Sequence, residues 1–316
     1  MDVCILGRIG YDLFAVEHAR PLAEVAHFSR HLGGSSANIA VGLARLGLKV
    51  GLISAIGQDE LAPYLMDFLA SEGVDTRFVR QVRGYRTSLC LTEVSPPSSF
   101  SQVFYRANPA DSQVRVGEEE LKAVRGARMF VTNGTSLAAD PSHRSTLAVL
   151  EAARKAGCRT VFDVDYRGSS WKKPEDAGQA AHAVLRWVDV LLGNEEELAV
   201  LTGGLAPEEA VAAIRKEGVS LQVHKRGEEG AKAYEGEQSW TLPPLPTAVV
   251  CAIGAGDAFA SGLLYGLCRG LPAGECLQYG NTAASLVVGR VSCSDSMPYR
   301  DELETAVQSA YSGKRR

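Results

Sequence analysis

Eight successive uncharged and mostly apolar residues, VGLISAIG (50–57), stand between two segments of helical periodicity. This feature limits the fold more than any other. A strand without polar alternation is covered on both faces, which calls for helices above and below it. The same unit recurs along the chain. VCIL (3–6) reads as a first buried strand. SSANIAVGLARLG (35–47) reads as a helix with serines at its start and Ile39, Leu43 and Leu46 on its apolar face, and DELAPYLMDFLASEG (59–73) as a helix that tolerates Pro63 in its first turn. Strands are expected over 128–131, 159–163, 189–192 and 219–224. Helices are expected over 141–156 and 175–187, from Glu195, and over 207–217, 256–268 and 273–289. Such alternation implies a mostly parallel sheet between two helical layers.

Two segments interrupt the rhythm. GYDLFAVEHARPLAEVAHFSRHL (10–32) and RTSLCLTEVSPPSSFSQVFYRAN (86–108) alternate in the manner of strands, the second around a Pro/Ser loop. Both are expected in a small β-sheet lid attached to a single domain that spans 1–316. Lids of this kind exclude water from a reacting group. Uncapped edges on such a sheet also suggest a homodimer formed through the lid.

Composition excludes several function classes. The 316 residues carry a formal net charge of −4 and are 46% hydrophobic and 22% charged, with no basic stripe for nucleic acid; the terminal GKRR reads as a solvated tail. The seven cysteines are scattered singly, with no C-x-x-C, as expected of buried, reduced thiols. No run of 18 uncharged apolar residues predicts a membrane span. The opening MDVCILGRIG lacks a basic leader and a long apolar stretch, so no signal peptide is expected and the chain reads as cytoplasmic.

Chemistry concentrates at glycine-rich helix starts. In CAIGAGDAFASG (251–262), Gly254, Ala255 and Gly256 leave bare backbone ahead of an apolar helix, and the free amides there form an anion site. Asp257 beside them reads either as a helix cap or as a general base next to a hole for transferring phosphoryl charge. GGSSAN (33–38) opens the first long helix. It reads as a serine-capped loop or as a polyol site in which Asn38 and the upstream Asp12 meet hydroxyl groups. A nucleotide-binding G-x-x-x-x-G-K-[ST] motif is absent from the sequence.

GGSSAN and GAGDAFASGLLYGL, in this order, resemble the two signatures of the ribokinase-like (PfkB) carbohydrate kinases, and FDVDYR, LGNEEEL and KRGEEGA follow in the order that family shows. The resemblance implies a ribokinase-like three-layer α/β/α sandwich with a β-sheet lid, ATP as donor, Mg²⁺ as cofactor and a sugar as acceptor. It implies that Asp257 is the base, that the Gly254-Ala255-Gly256 amides form the anion hole, and that Asp12, Gly33, Gly34 and Asn38 meet the sugar. By the same resemblance Asn194 and Glu197 organise magnesium through water, Lys225, Gly227 and Gly230 border the nucleotide, and Asn281 lies near the adenine. One departure stands out. The family usually carries Asp-Thr where this chain has Cys251-Ala252, which puts a monovalent-cation site in doubt.

ILGRIGYDLF, TSLCLTEVSPP, QVFYR and SCSDSMP most resemble the kinases of 5-dehydro-2-deoxygluconate in inositol catabolism, with 2-keto-3-deoxygluconate kinases, neutral-sugar kinases and a sugar- or nucleotide-sensing pseudokinase as alternatives. A sugar-acid substrate requires a guanidinium for its carboxylate. Arg106 and Arg167 are the expected partners, and Arg8 is a third candidate.

Overall fold

The computed structural model describes residues 1–97 and 99–311, so the GKRR tail lies outside the described residues. In chain order the elements are β1 (Val3–Leu6), β2 (Gly10–Ala15), β3 (Phe28–Gly33), α1 (Ser35–Arg45), β4 (Val50–Gly57), α2 (Ala62–Ser71), β5 (Val79–Val82), β6 (Ser88–Thr92) and β7 (Gln102–Tyr105). There follow α3 (Glu118–Arg125), β8 (Met129–Asn133), α4 (Ser142–Lys155), β9 (Arg159–Asp163), α5 (Pro174–Val184), β10 (Val190–Asn194), α6 (Glu195–Thr202), α7 (Pro207–Lys216) and β11 (Leu221–Lys225). The chain ends with β12 (Ala231–Glu235), β13 (Gln238–Leu242), α8 (Ala255–Cys268), α9 (Ala273–Val288) and α10 (Arg300–Tyr311).

A nine-stranded sheet in the order β13-β12-β11-β10-β9-β8-β1-β4-β5 forms the middle layer. It is parallel from β11 to β5; β12 pairs antiparallel with β11 and β13 antiparallel with β12, so β12 alone runs against the rest. Successive residues of β1 serve opposite layers. Val3 and Ile5 pack with α1, α2, α8, α9 and α10, whereas Cys4 and Leu6 pack with α3, α4, α5, α6 and α7. The uncharged run 50–57 is buried throughout, as double coverage requires.

The two interrupting segments form a four-stranded sheet, β3-β2-β6-β7. Asp12, Cys90 and Phe104 stand side by side across it and share a face with Gln102, while Leu13, Leu91 and Val103 stand across the other face. The helix expected from 59 starts instead at Ala62; the Asp59 carboxylate accepts from the Leu61 amide and also from the Thr87 amide and hydroxyl at the base of this sheet. The β12–β13 hairpin, β5, α3 and α10 were not expected. β12 and β13 lie at the sheet edge and alternate with polar residues, so they lack the apolar run that marks the inner strands.

Arg45 at the end of α1 fixes the layer that carries GGSSAN. Its Nε and Nη2 donate to Glu72 at 2.8 and 2.7 Å, and its Nη1 donates to the carbonyls of Asp295 and Met297 at 2.8 Å each. The pair is nearly enclosed, with 7% and 14% of the two side chains exposed. Truncating one partner of such a pair strands the other charge. Arg45→Met is expected to lower the unfolding free energy by about 3 kcal/mol, measured by urea denaturation. A loss under about 1 kcal/mol, as for an exposed pair, would show that solvent already satisfies Glu72.

Candidate active site

Parallel strands place their C-terminal ends along one edge of the sheet, where α/β folds bind ligands. Three polar residues far apart in sequence end adjacent strands there: Asp163 on β9, Asn194 on β10 and Lys225 on β11. The Lys225 ammonium lies 2.9 and 3.0 Å from the two Asp163 oxygens and 3.6 Å from Glu197. Burial weakens its charge, but Asp163 and then Glu197 outweigh burial and hold the ammonium above its ordinary value. Asn194 and Glu197 form a reciprocal cap on α6. The Glu197 amide donates to Asn194 Oδ1 at 2.9 Å, and the Asn194 amide donates to Glu197 Oε2 at 2.7 Å. Among the described residues no three His, Cys, Asp or Glu side chains converge as a metal cage. A hydrated ion held by one or two carboxylates and by phosphate oxygens does not need one.

The GAGD segment turns at Gly254, whose φ of 90° is open to glycine, and α8 begins at Ala255. The amides of Gly256 and Asp257 lie in the first turn, where a helix has no internal acceptor for them. Asp257 is half-buried. Its Oδ1 accepts from Ser35 Oγ at 2.7 Å and its Oδ2 from Asn38 Nδ2 at 2.8 Å. Burial pushes this carboxyl above its ordinary value; the Asn38 and Ser35 hydrogen bonds and Arg167 oppose the shift, and the Asp165 charge adds to it.

Two cavities meet at this segment. A polar one, lined by Asp12, Gly34, Ser35, Asn38, Gly254 and Asp257 among others, lies beneath the small sheet. The second, about 570 Å³, is lined by Lys225, Gly227, Gly230, Ala255, Gly256 and Asn281 together with apolar residues such as Leu245, Phe259 and Val288. Asn281 faces this cavity from α9 while its amide nitrogen donates to the carbonyls of Leu242 and Pro243. Gly230, at φ 84°, leaves no room for a side chain, since a Cβ there would fall 2.0 Å from the Leu242 oxygen.

Asp12 and Gly33 fit against each other. A Cβ on Gly33 would fall 2.1 Å from the Asp12 carboxyl, so this glycine makes room for Asp12 and does not itself line the cavity. Burial pushes Asp12 up to about 6, against the pull of Arg8 and with the neighbouring Asp257 adding to the rise.

The arginines divide differently from the expectation. Arg106 does not line the polar cavity. Its Nη1 donates to Ser88 Oγ at 2.9 Å and its Nη2 to Asp111 Oδ2 at 2.8 Å, so its fork is already used. Arg167 does line the cavity, half exposed and 3.2 Å from Asp165. Arg8 lines it too. Sequence reasoning also passed over Ser35 as a partner of Asp257, and Asp163 and Asp165 within FDVDYR. Asp165 takes a φ of 34°, a conformation that costs a non-glycine residue energy and that clusters at functional sites. Cys251 lies beneath the loop, packed with Cys293, Phe14 and Val94, and burial pushes its thiol up.

Residues 1–300 match the family described as pfkB family carbohydrate kinase. Curated relatives include 5-dehydro-2-deoxygluconokinase of Clostridium tetani, 33% identical over 315 residues covering 98% of this chain and 93% of the relative. The Bacillus subtilis protein of the same name is 34% identical over 312 residues, covering 97% and 96%. Among solved structures, a PfkB protein from Polaromonas superposes with a TM-score of 0.83 at 28% identity, covering 96% of this chain and 99% of the other. Fructokinase with bound ATP from Xylella fastidiosa superposes with a TM-score of 0.87 at 24% identity, covering 98% of each chain.

The two loop glycines differ in what they tolerate. A Cβ at Gly254 would lie 2.9 Å from Cys293 atoms at a positive φ, whereas one at Gly256 would approach only Lys225 Nζ, at 3.9 Å. Gly254→Ala is therefore expected to cost about 2 kcal/mol in denaturant unfolding, and Gly256→Ala to leave stability unchanged or raise it by under about 1 kcal/mol. Equal losses at both positions would contradict this account of the turn.

Proposed function

This chain belongs to the pfkB family of carbohydrate kinases, and we propose that it transfers the γ-phosphoryl group of ATP to the terminal hydroxyl of 5-dehydro-2-deoxygluconate. One observation carries the reaction. The Gly254–Asp257 segment is the shared wall of two cavities, with the Asp257 carboxylate on the polar side and Gly256 on the larger, mostly apolar side. A donor in one and an acceptor in the other meet at this wall. The name and coverage of the relatives, at 33–34% identity, support the choice of sugar acid.

In this reading the sugar lies under the small sheet, which acts as a lid, and Asp12 accepts hydrogen bonds from its hydroxyl groups. Asn38 and Ser35 aim the Asp257 carboxylate, which takes the proton of the attacking hydroxyl. The amides at the start of α8 receive the charge of the transferring group, in a site from which the lid excludes water. Arg167, held charged by Asp165, faces the same cavity. ATP occupies the larger cavity, its base among Leu245, Val288 and the Asn281 face of α9, its phosphates toward Gly256 and Lys225. The oxygen donors of Asp163, Asn194 and Glu197 suit a hydrated Mg²⁺, which would neutralise phosphate charge there. A kinase drawing on ATP and a sugar acid belongs in the cytoplasm, and we place it there.

The outer face of the lid supports a homodimer. Val103 and Tyr105 are 42% and 61% exposed on β7, beside the half-covered Leu89 and Leu91 of β6. Sedimentation analysis is expected to find a dimer that Tyr105→Glu converts to monomer; a monomeric parent protein would rule the interface out.

Asp257→Asn is expected to lower kcat by about 10²–10⁴-fold while the thermal midpoint holds, because the amide can keep the Ser35 contact. The base must be ionised, so the rate falls as pH falls through a pKa that burial has raised. Asp12, at about 6, loses its acceptor charge in the same direction. The acid limb of kcat/KM is thus expected well above pH 4 and near pH 6. A profile flat down to pH 4.5, or unchanged kcat in the variant, would return Asp257 to a capping role.

A further inference from the structure

We propose that Arg8, and not Arg106, receives the carboxylate of the sugar acid and sets the enzyme's preference for acids. This deepens the functional reading above and rests on it. Arg8 lies in the short connection from β1 to β2, the point where the chain leaves the main sheet for the lid. Its backbone is fixed there. The Arg8 carbonyl accepts from the Ala37 amide at 3.3 Å, and it passes so near Gly34 that a Cβ on Gly34 would lie 2.6 Å away.

The side chain is enclosed but unpaired. Arg8 is 8% exposed, and its Nε is buried without a hydrogen-bond partner. Among the described residues no carboxylate stands within ion-pair distance of it, and its guanidinium lies over the Phe104 ring at 5.8 Å, a contact that brings no negative charge. Asp12 on the adjoining strand is close enough to feel its charge but does not bond it. Arginine cannot shed its proton to escape burial. A guanidinium largely withdrawn from water with no anionic partner is costly to the unliganded fold. A cation kept in this condition on a cavity wall is poised for an anion that arrives from outside.

The other arginines lack this character. Arg106 spends its two terminal nitrogens on Ser88 and Asp111. Arg167 is half exposed and already paired with Asp165. Arg8 and Asp257 line the same cavity, so a substrate of sugar size can offer its carboxylate to one and a hydroxyl to the other. A bidentate fork suits a planar carboxylate, which a neutral sugar does not offer.

The test compares 5-dehydro-2-deoxygluconate with its C1 amide as substrates for the parent enzyme and for Arg8→Met, Arg8→Lys and Arg106→Met. A charge-assisted hydrogen bond contributes enough to change rates by about ten- to a hundredfold. The acid-to-amide ratio of kcat/KM is expected to fall by that factor in Arg8→Met, to recover in part in Arg8→Lys, and to hold in Arg106→Met. A second readout separates recognition from structure. Without substrate, the thermal midpoint of Arg8→Met is expected to equal or exceed that of the parent, because an unpaired buried charge is gone, whereas Arg106→Met strands Asp111 and melts lower. The acid's stabilisation of the parent in the same melt is expected to vanish in Arg8→Met. An acid preference that survives Arg8→Met, or a substrate-free midpoint that drops as far as in Arg106→Met, overturns the role of Arg8 and leaves the sugar-acid kinase standing. A parent enzyme that uses the amide as well as the acid overturns both.

Discussion

Two hydrogen bonds to one carboxylate hold the site together. Ser35 and Asn38, from the first turn of α1, reach Asp257 in the first turn of α8, more than two hundred residues along the chain. Two helix N-termini, each the positive end of its dipole, therefore face the same half-buried carboxylate. This approach depends on small residues between the helices. A Cβ on Gly42 of α1 would fall 2.4 Å from Ser261 Oγ of α8, and one on Gly262 would fall 2.3 Å from the Tyr279 carbonyl of α9. Close packing of α1, α8 and α9 is thus what brings hydroxyl and amide donors to the carboxylate. Burial alone would favour its neutral form, and the donors restore part of the charged form that proton abstraction needs.

The second organising constraint is the parallel sheet. Its strand ends gather Asp163, Asn194 and Lys225 into a polar row beside the loop, at no cost in extra architecture. Within that row the chain satisfies its own groups. Lys225 is balanced by Asp163 and Glu197, and Asn194 and Glu197 cap a helix. Capping and ion binding are compatible here, because a carboxylate oxygen that accepts from an amide retains lone pairs for a water on a hydrated ion. In the proposed reading the same residues are structural before a nucleotide arrives and electrostatic afterwards.

The body of the fold was legible because its period is strong. The buried run 50–57 and the strand 159–163 matched their expected bounds, and helices began at the expected Ser35, Glu195 and Pro207, although the Ser35 hydroxyl turns to Asp257 and does not cap α1. The edge hairpin of β12 and β13 was not legible, since one face meets solvent and its alternation resembles a polar loop. At the site, glycines announced backbone approach, and Asp257 and Asn38 were each readable as a polar residue at a helix start, though not as partners. What no spacing could reveal was which arginine is satisfied. Arg106 and Arg8 look alike in sequence, and only the position of Asp111 behind β6 distinguishes a spent guanidinium from an available one. Pairing of buried charges is a tertiary property, so it was the part of the site that sequence patterns missed.

The Cys251-Ala252 departure acquires a physical meaning in this setting. Where the family usually presents a carboxylate and a hydroxyl, this chain presents a thiol whose ionisation burial opposes and a methyl group. Neither is a hard oxygen ligand for a cation. The Cys251 side chain instead joins Cys293, Phe14 and Val94 in a small apolar cluster beneath the loop. Phe14 belongs to β2 of the lid, and Cys293 abuts Gly254 at the turn. The underside of the Gly254 turn is therefore packed against the small sheet by van der Waals contact. Close packing transmits displacement directly. In the reading proposed above, a shift of β2 over a bound sugar would act on the turn that carries the Gly256 amide through these apolar side chains.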